Sequence, residues 1–374
     1  MSKNVKEKEK FLWYVNSSVS TLAKLAEVSL YEFNTDYKAA VKMYDPKNVN
    51  AYLEIFGNNP RIRRPGISTP PVSYGHLNGV GVPLVFPEGD GEVNYERSAF
   101  SINEWIEILS RERDFSKEGK IPFFLEYREK LMEAFPGKNV GFGMTYEGPV
   151  TEAYTMLDLD LYYSLYDEPE KLKIMLEKIA YSVIRYKKFY AKVIGIEYKN
   201  LTGICDDCAA LVPPDMWEDF VIPYLEILYS DVEPGRRSLH CEDMTEKHLK
   251  HLDTLGITMY DPSVSPKLNP RIISHGCSVP FMWRMCSIYH RLLDKTLAKD
   301  FVYAAVRDGA RGVFSEAVHI DKNSVEVVLS FIEACETVER MFEEGATRED
   351  IGNLMSDRGK DIFWEKWRKE YIGG

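Results

Sequence analysis

The strongest constraint on this chain is a change of rhythm near residue 139. Beyond it, short apolar runs alternate with longer stretches whose apolar residues recur at helical spacing. Segments 140–144, 201–205, 237–239, 257–260, 271–273 and 312–314 read as strands. Between them, 169–194 reads as a helix with Gly195 at its C-terminal stop, and 215–230 as a helix kinked at Pro223. Thr245 caps a helix that ends before Gly256, and Asn323 to Glu326 form a capping arrangement that opens a helix over 324–342. Strand and helix in sustained alternation predict a parallel sheet.

The 374 residues suffice to close such a sheet into an eight-stranded (β/α)8 TIM barrel. An open doubly wound sheet is the physical alternative. It usually carries a glycine-rich phosphate turn, and neither G-x-G-x-x-G nor G-x-x-x-x-G-K-[ST] occurs here. The first hundred residues are less regular. A helix is expected over 18–33, whereas the proline and glycine density from 66 to 87 forbids long helix and favours extended loops or short hairpins. The expected organisation is one α/β domain: an irregular helical N-terminal extension over 1–100, a barrel core over 101–343 and C-terminal helices over 344–374.

Net charge is −11, with no stripe of Lys and Arg, which excludes ordinary nucleic-acid binding and anionic membrane surfaces. Residues 1–10 are charged and lack an apolar core, so no secretory leader is expected. No run approaches the roughly 18 apolar residues of a membrane span. Six cysteines are too few for a disulfide framework, and a cytoplasmic address with reduced thiols follows.

In a parallel barrel the chemistry sits at the carboxyl ends of the strands. Those ends deliver Cys205, Asp206, Asp207 and Cys208; His240, Cys241, Glu242 and Asp243; Asp261; Ser274, His275 and Cys277; and Glu316 and His319. Imidazole, carboxylate and thiol are the zinc-binding types. Alternate residues of a strand share a face, so His240 pairs with Glu242 in preference to Cys241. Asp206 and Asp207 point to opposite faces, so one enters the site and the other caps a helix or forms an ion pair. Glu316 and His319 compete for the last strand. Cys205-x-x-Cys208 is a weak metal or redox signal, and His248 and His251, three apart, read as a solvated helix face.

Several longer motifs go further. Residues 147–153 read EGPVTEA, 166–170 read YDEPE, 203–210 read GICDDCAA and 212–225 read VPPDMWEDFVIPYL. Together they resemble the uroporphyrinogen decarboxylase superfamily over about residues 100–340. That group includes the decarboxylases and the zinc-dependent corrinoid methyltransferases, and it implies a (β/α)8 barrel. The arginine motif that grips porphyrinogen carboxylates has no match; Arg61, Arg63 and Arg64 are the nearest basic cluster. The methyltransferases carry His-x-Cys and a distant Cys, and here the first place reads His240-Cys241-Glu242. The resemblance therefore implies zinc held by His240, Glu242 and Cys277, with Glu316 or His319 as fourth ligand or acid, and Asp206 or Asp207 orienting or protonating the substrate. It implies methyl transfer between a small methylated substrate and a corrinoid on a carrier protein, in a chain that is often dimeric. A carboxylate in place of thiolate leaves the metal more electrophilic, which favours a methyl ether as donor. The alternative is a metal-free decarboxylase.

Overall fold

The structure is a computed structural model and describes residues 10–233 and 235–369. The first nine residues, read above for want of a leader, lie outside the described residues.

Two three-stranded parallel sheets organise the chain. In one, Gly203–Cys205 pairs with Ser238–His240, which pairs with Met259–Asp261. In the other, Leu12–Ser17 and Met282–Met285 flank Gly312–Ala317. Isolated parallel bridges join further segments: Tyr260 to Phe281, Val15 to Ile62, Ser68 to Gly141 and Val72 to Met144. The 140–144 stretch is thus extended but forms no regular strand. A small antiparallel pair joins Leu84–Val85, inside the Pro/Gly-rich stretch 66–87, to Asn94–Tyr95 beyond it, and the same stretch holds only a short helix, Gly75–Val80.

Two sequence expectations fail here. Segment 271–273 is not a strand; it lies inside the helix Pro270–Gly276, which starts from an Asn269 cap and Pro270. The strand of that region is Met282–Met285, ten residues later. The parallel sheet also begins at Leu12, inside the stretch read as an extension.

Helices cover the outer faces. Pro169–Ile194 runs as read, with Pro169 in its first turn and Gly195 in the left-handed conformation (φ 75°) at its end. Its buried stripe, Leu172, Met175, Leu176, Ile179, Val183 and Tyr186, packs against the helices Ile102–Ser110 and Ile222–Tyr229. Each such side chain contributes about 1.5–3 kcal/mol by leaving water. The expected 18–33 helix is two, Val19–Leu25 and Leu30–Thr35, parted at Glu27 (φ 51°). The 215–230 helix breaks at Val221, so that Pro223 starts a new helix. The last long helix, Lys322–Glu343, is capped by Asp321, two residues before the expected Asn323. His76, Glu152 and Ser182 form a fully buried chain of hydrogen bonds, 2.9 Å at each link, that ties three helices together. It resembles a catalytic triad in composition but is sealed from solvent.

Candidate active site

The geometry of the 203–261 sheet follows from its period of two. Ile204, Leu239 and Tyr260 are buried against helices, so Cys205, His240 and Asp261 share the opposite face, in register across three strands. That face is open: Cys205 is exposed and His240 keeps a quarter of its side-chain surface. His240 Nδ1 lies 2.9 Å from Asp261 Oδ2, which fixes the ring. Its Nε2 points towards Asp207 Oδ1 at 3.6 Å and Glu242 Oε1 at 3.9 Å, beyond hydrogen-bond length. Burial opposes charge on the imidazole, but the Asp261 hydrogen bond and the charges of Asp261, Asp207 and Glu242 outweigh it and raise its pKa. The ring is therefore a proton-bearing group with one nitrogen free for a ligand.

Asp206 and Asp207 divide as the backbone demands. Asp206 is fully buried and accepts from Val150 N (3.3 Å), Thr151 N (2.7 Å) and Thr151 Oγ1 (2.9 Å). It caps the helix Pro149–Leu157 from a distant strand and takes no part in the open face. Burial outweighs these donors and pushes its pKa up to about 7. A Cβ on Gly148 would meet this carboxyl at 2.4 Å, which explains the glycine. Asp207 instead faces His240 and accepts the Glu242 backbone N–H at 2.8 Å.

The facing sheet carries a different wall. Tyr14 and Phe314 stack at 5.1 Å; Arg63 lies 4.1 Å over Tyr14, and Arg284 5.8 Å over Phe314. Both guanidiniums act on the Tyr14 hydroxyl, as does Asp261, so the two walls converge there. Arg284 reaches Ser263 Oγ at 3.3 Å and Glu316 at 3.8 Å. Ser263 N in turn bonds Asp261 Oδ1 at 2.8 Å, linking Glu316 to His240 through three intervening residues. Glu316 also lines a cavity of about 410 Å³ with Phe33, Asn34, Val72, Tyr74 and Glu92.

The structure thus brings Asp207, His240 and Glu242 together, and ties Glu316 to them only through Arg284, Ser263 and Asp261. His319 stands apart, its ring 6.1 Å from that of His290 and close to Arg291 and Asp321. Cys277 does not join the group. It follows the helix Pro270–Gly276, ahead of the strand Met282–Met285, and its thiol contacts Ile273 O at 3.6 Å. It therefore lies at the amino end of a strand, because the run before it is helix. Among the described residues no three His, Cys, Asp or Glu side chains stand together at metal-ligand spacing. The expected zinc set of His240, Glu242 and Cys277 does not fit this arrangement. Cys205 and Cys208 are free, and burial and neighbouring carboxylates push both thiols up to about 12, so neither is a nucleophile near neutral pH. His248 and His251 are buried, not solvated. They bond the carbonyls of Val212 (3.1 Å) and Pro214 (2.8 Å) and pack on Trp217.

Sequence reasoning did not single out Glu147, Arg284 or Tyr14. Arg284 and Tyr14 sit on strands that were not read as such. Asp261 was visible as a strand end, and its partnership with His240 only emerges from the register.

Compared with known proteins, residues 74–279 match the uroporphyrinogen decarboxylase (URO-D) family. No curated protein matches the chain. Among solved structures, a methyltransferase from Methanosarcina mazei superposes with a TM-score of 0.61 at 15% identity, over 89% of this chain and 95% of that one. That likeness concerns the fold. The family match spans more than half of the sequence and includes the Glu147, Asp206, Asp207, His240 and Asp261 positions, so the chain belongs to the uroporphyrinogen decarboxylase family.

Proposed function

We propose that this chain is a methyltransferase that takes a methyl group from a small methylated substrate, a methyl ether, and passes it to a corrinoid on a carrier protein. The reading includes closure of the sheets into a (β/α)8 barrel. The segments 12–17, 62–72, 140–144, 203–205, 238–240, 259–261, 282–285 and 312–317 supply its eight staves, and the bridges at Val15, Ser68, Val72 and Tyr260 lie where neighbouring staves meet.

The observation that carries the reading is His240, held by Asp261 with its Nε2 turned to the open face and its pKa raised by the surrounding carboxylates. A space of about 410 Å³ suits a small molecule, and four carboxylates around His240 and Arg284 disfavour a polycarboxylated tetrapyrrole. His240 Nε2, with no hydrogen-bond partner of its own, donates to the ether oxygen. Asp261 holds the charge and tautomer of the ring, and Asp207 and Glu242 stabilise its charged form. Polarising the oxygen makes the alkoxide or phenoxide a better leaving group for attack on the methyl carbon by a reduced corrinoid.

Decarboxylation of a small acid is the second reading. Arg63 and Arg284 over the Tyr14–Phe314 pair favour it, because two guanidiniums can hold a carboxylate. Mixing the protein with a reduced corrinoid carrier and methoxylated aromatics tests both. The expected result is conversion of the cobalt(I) spectrum to the methyl form; a silent spectrum with release of CO₂ from an aromatic acid overturns the methyl-transfer reading.

A further inference from the structure

Three carboxyl groups, Glu152, Asp206 and Asp207, act on a fourth, Glu147, behind the strand ends. Four neighbouring anions in a poorly hydrated space do not all stay ionised; the group with the fewest donors takes the proton. Three of them are well supplied. Asp206 has three donors from Val150 and Thr151. Glu152 has the His76 ring at 2.9 Å and the Glu147 backbone N–H at 3.2 Å. Asp207 has the Glu242 N–H at 2.8 Å and faces His240. Glu147 differs: its Oε2 is buried without a hydrogen-bond partner, and Ser73 alone supports the carboxyl. We propose that Glu147 carries the proton of this cluster at neutral pH and is the acid that delivers it to the leaving atom of the substrate.

Position supports the role. Glu147 acts on Tyr74, which lines the 410 Å³ cavity, and on Cys205, which stands in the His240 row. Its carboxyl hydrogen-bonds Ser73, which lines the same cavity. Burial pushes its pKa up to about 8; Glu152, Asp207 and Asp206 add to the rise, and the Ser73 hydrogen bond opposes it. The other titratable groups that face it, Tyr74, Cys205 and Cys208, are themselves raised and neutral near pH 7. This deepens the methyl-transfer reading and rests on it for the identity of the leaving atom. In the step, the cobalt(I) corrinoid supplies the electron pair of the new bond to carbon and is formally oxidised by two electrons. The C–O bond breaks, its electron pair stays on oxygen, and oxygen takes the Glu147 proton. The carboxylate left behind is reprotonated from water.

Infrared difference spectra of the full chain and its Glu147→Gln variant test the assignment. The expected result is a protonated-carboxyl band that titrates near pH 8 and is absent from Glu147→Gln, separate from an Asp206 band that titrates near pH 7 and is absent from Asp206→Asn. The same variant is expected to lower the rate of methyl transfer by roughly 100- to 10,000-fold and to abolish the high-pH fall of the wild-type profile, with partial rescue in Glu147→Asp. Matching thermal unfolding curves at pH 6, where both side chains are neutral, show that the variant folds. A band titrating near pH 8 that persists in Glu147→Gln overturns the proposal, as does an unchanged rate profile. An acid band on Glu147 with no reaction from any methyl donor supports the proton assignment and overturns the methyl-transfer reading.

Discussion

The sheet of Cys205, His240 and Asp261 and the sheet of Tyr14, Phe314 and Arg284 use one local rule to different ends. In both, alternate residues (Ile204, Leu239 and Tyr260; Val15, Val313 and Trp283) are buried against helices, leaving the intervening residues on the other face. On the first sheet that face is thiol, imidazole and carboxylate, linked by hydrogen bonds and charge. On the second it is a stacked aromatic pair between two guanidiniums. The difference teaches how the proposed reading divides chemistry from binding: one sheet presents groups that hold protons, the other a flat surface with positive charge.

The sharpest way to break this division is at His240. His240→Ala is expected to reduce methyl transfer by roughly 100-fold or more with little change in melting temperature, measured by the cobalt spectrum and calorimetry. A variant that keeps its rate would remove the first sheet from the chemistry. Next comes the contrast between adjacent acids. Asp206→Ala leaves three donors of the Pro149–Leu157 helix start unpaired and is expected to cost about 2–4 kcal/mol in denaturant unfolding. Asp207→Ala, at a half-exposed position, should leave stability nearly unchanged and lower the rate instead.

On the second sheet, Arg284→Met is expected to raise KM for donors bearing a carboxylate by about tenfold and to leave neutral donors unaffected. Equal effects on both would deny it an anion-binding role. A smaller effect concerns pH. The folded pKa of Glu147 lies above its ordinary value of 4.5, so its contribution to stability is complete below that value and lost as pH rises through about 8. Melting temperature should therefore decline between pH 5 and 9 in the wild type and decline less in Glu147→Gln. The smallest expected effect is at Cys277: Cys277→Ser should leave the rate unchanged, since its thiol meets the Ile273 carbonyl and the Val279 backbone.

Much of this was legible from local pattern. The helix Pro169–Ile194 and its glycine stop, the strands around Ile204, Leu239 and Tyr260, and the shared face of His240 and Glu242 all follow from side-chain period and from the backbone preferences of proline and glycine. The family resemblance came instead from the residues of the motifs at 147–153, 166–170, 203–210 and 212–225. What the period leaves open is identity at short apolar runs. Residues 271–273 fit a strand as well as a helix, and only the Asn269 cap and the neighbouring Met282–Met285 strand resolve them.

The sequence by itself determined the α/β rhythm, the family and the row of polar residues at the strand ends, because these depend on neighbours a few positions away. Tertiary structure alone decided which acid is buried and which is free, that His248 and His251 pin a loop, that Cys277 lies elsewhere, and that Glu147 lacks a donor. Those outcomes depend on which distant groups meet and how much water remains between them, and no local spacing encodes that.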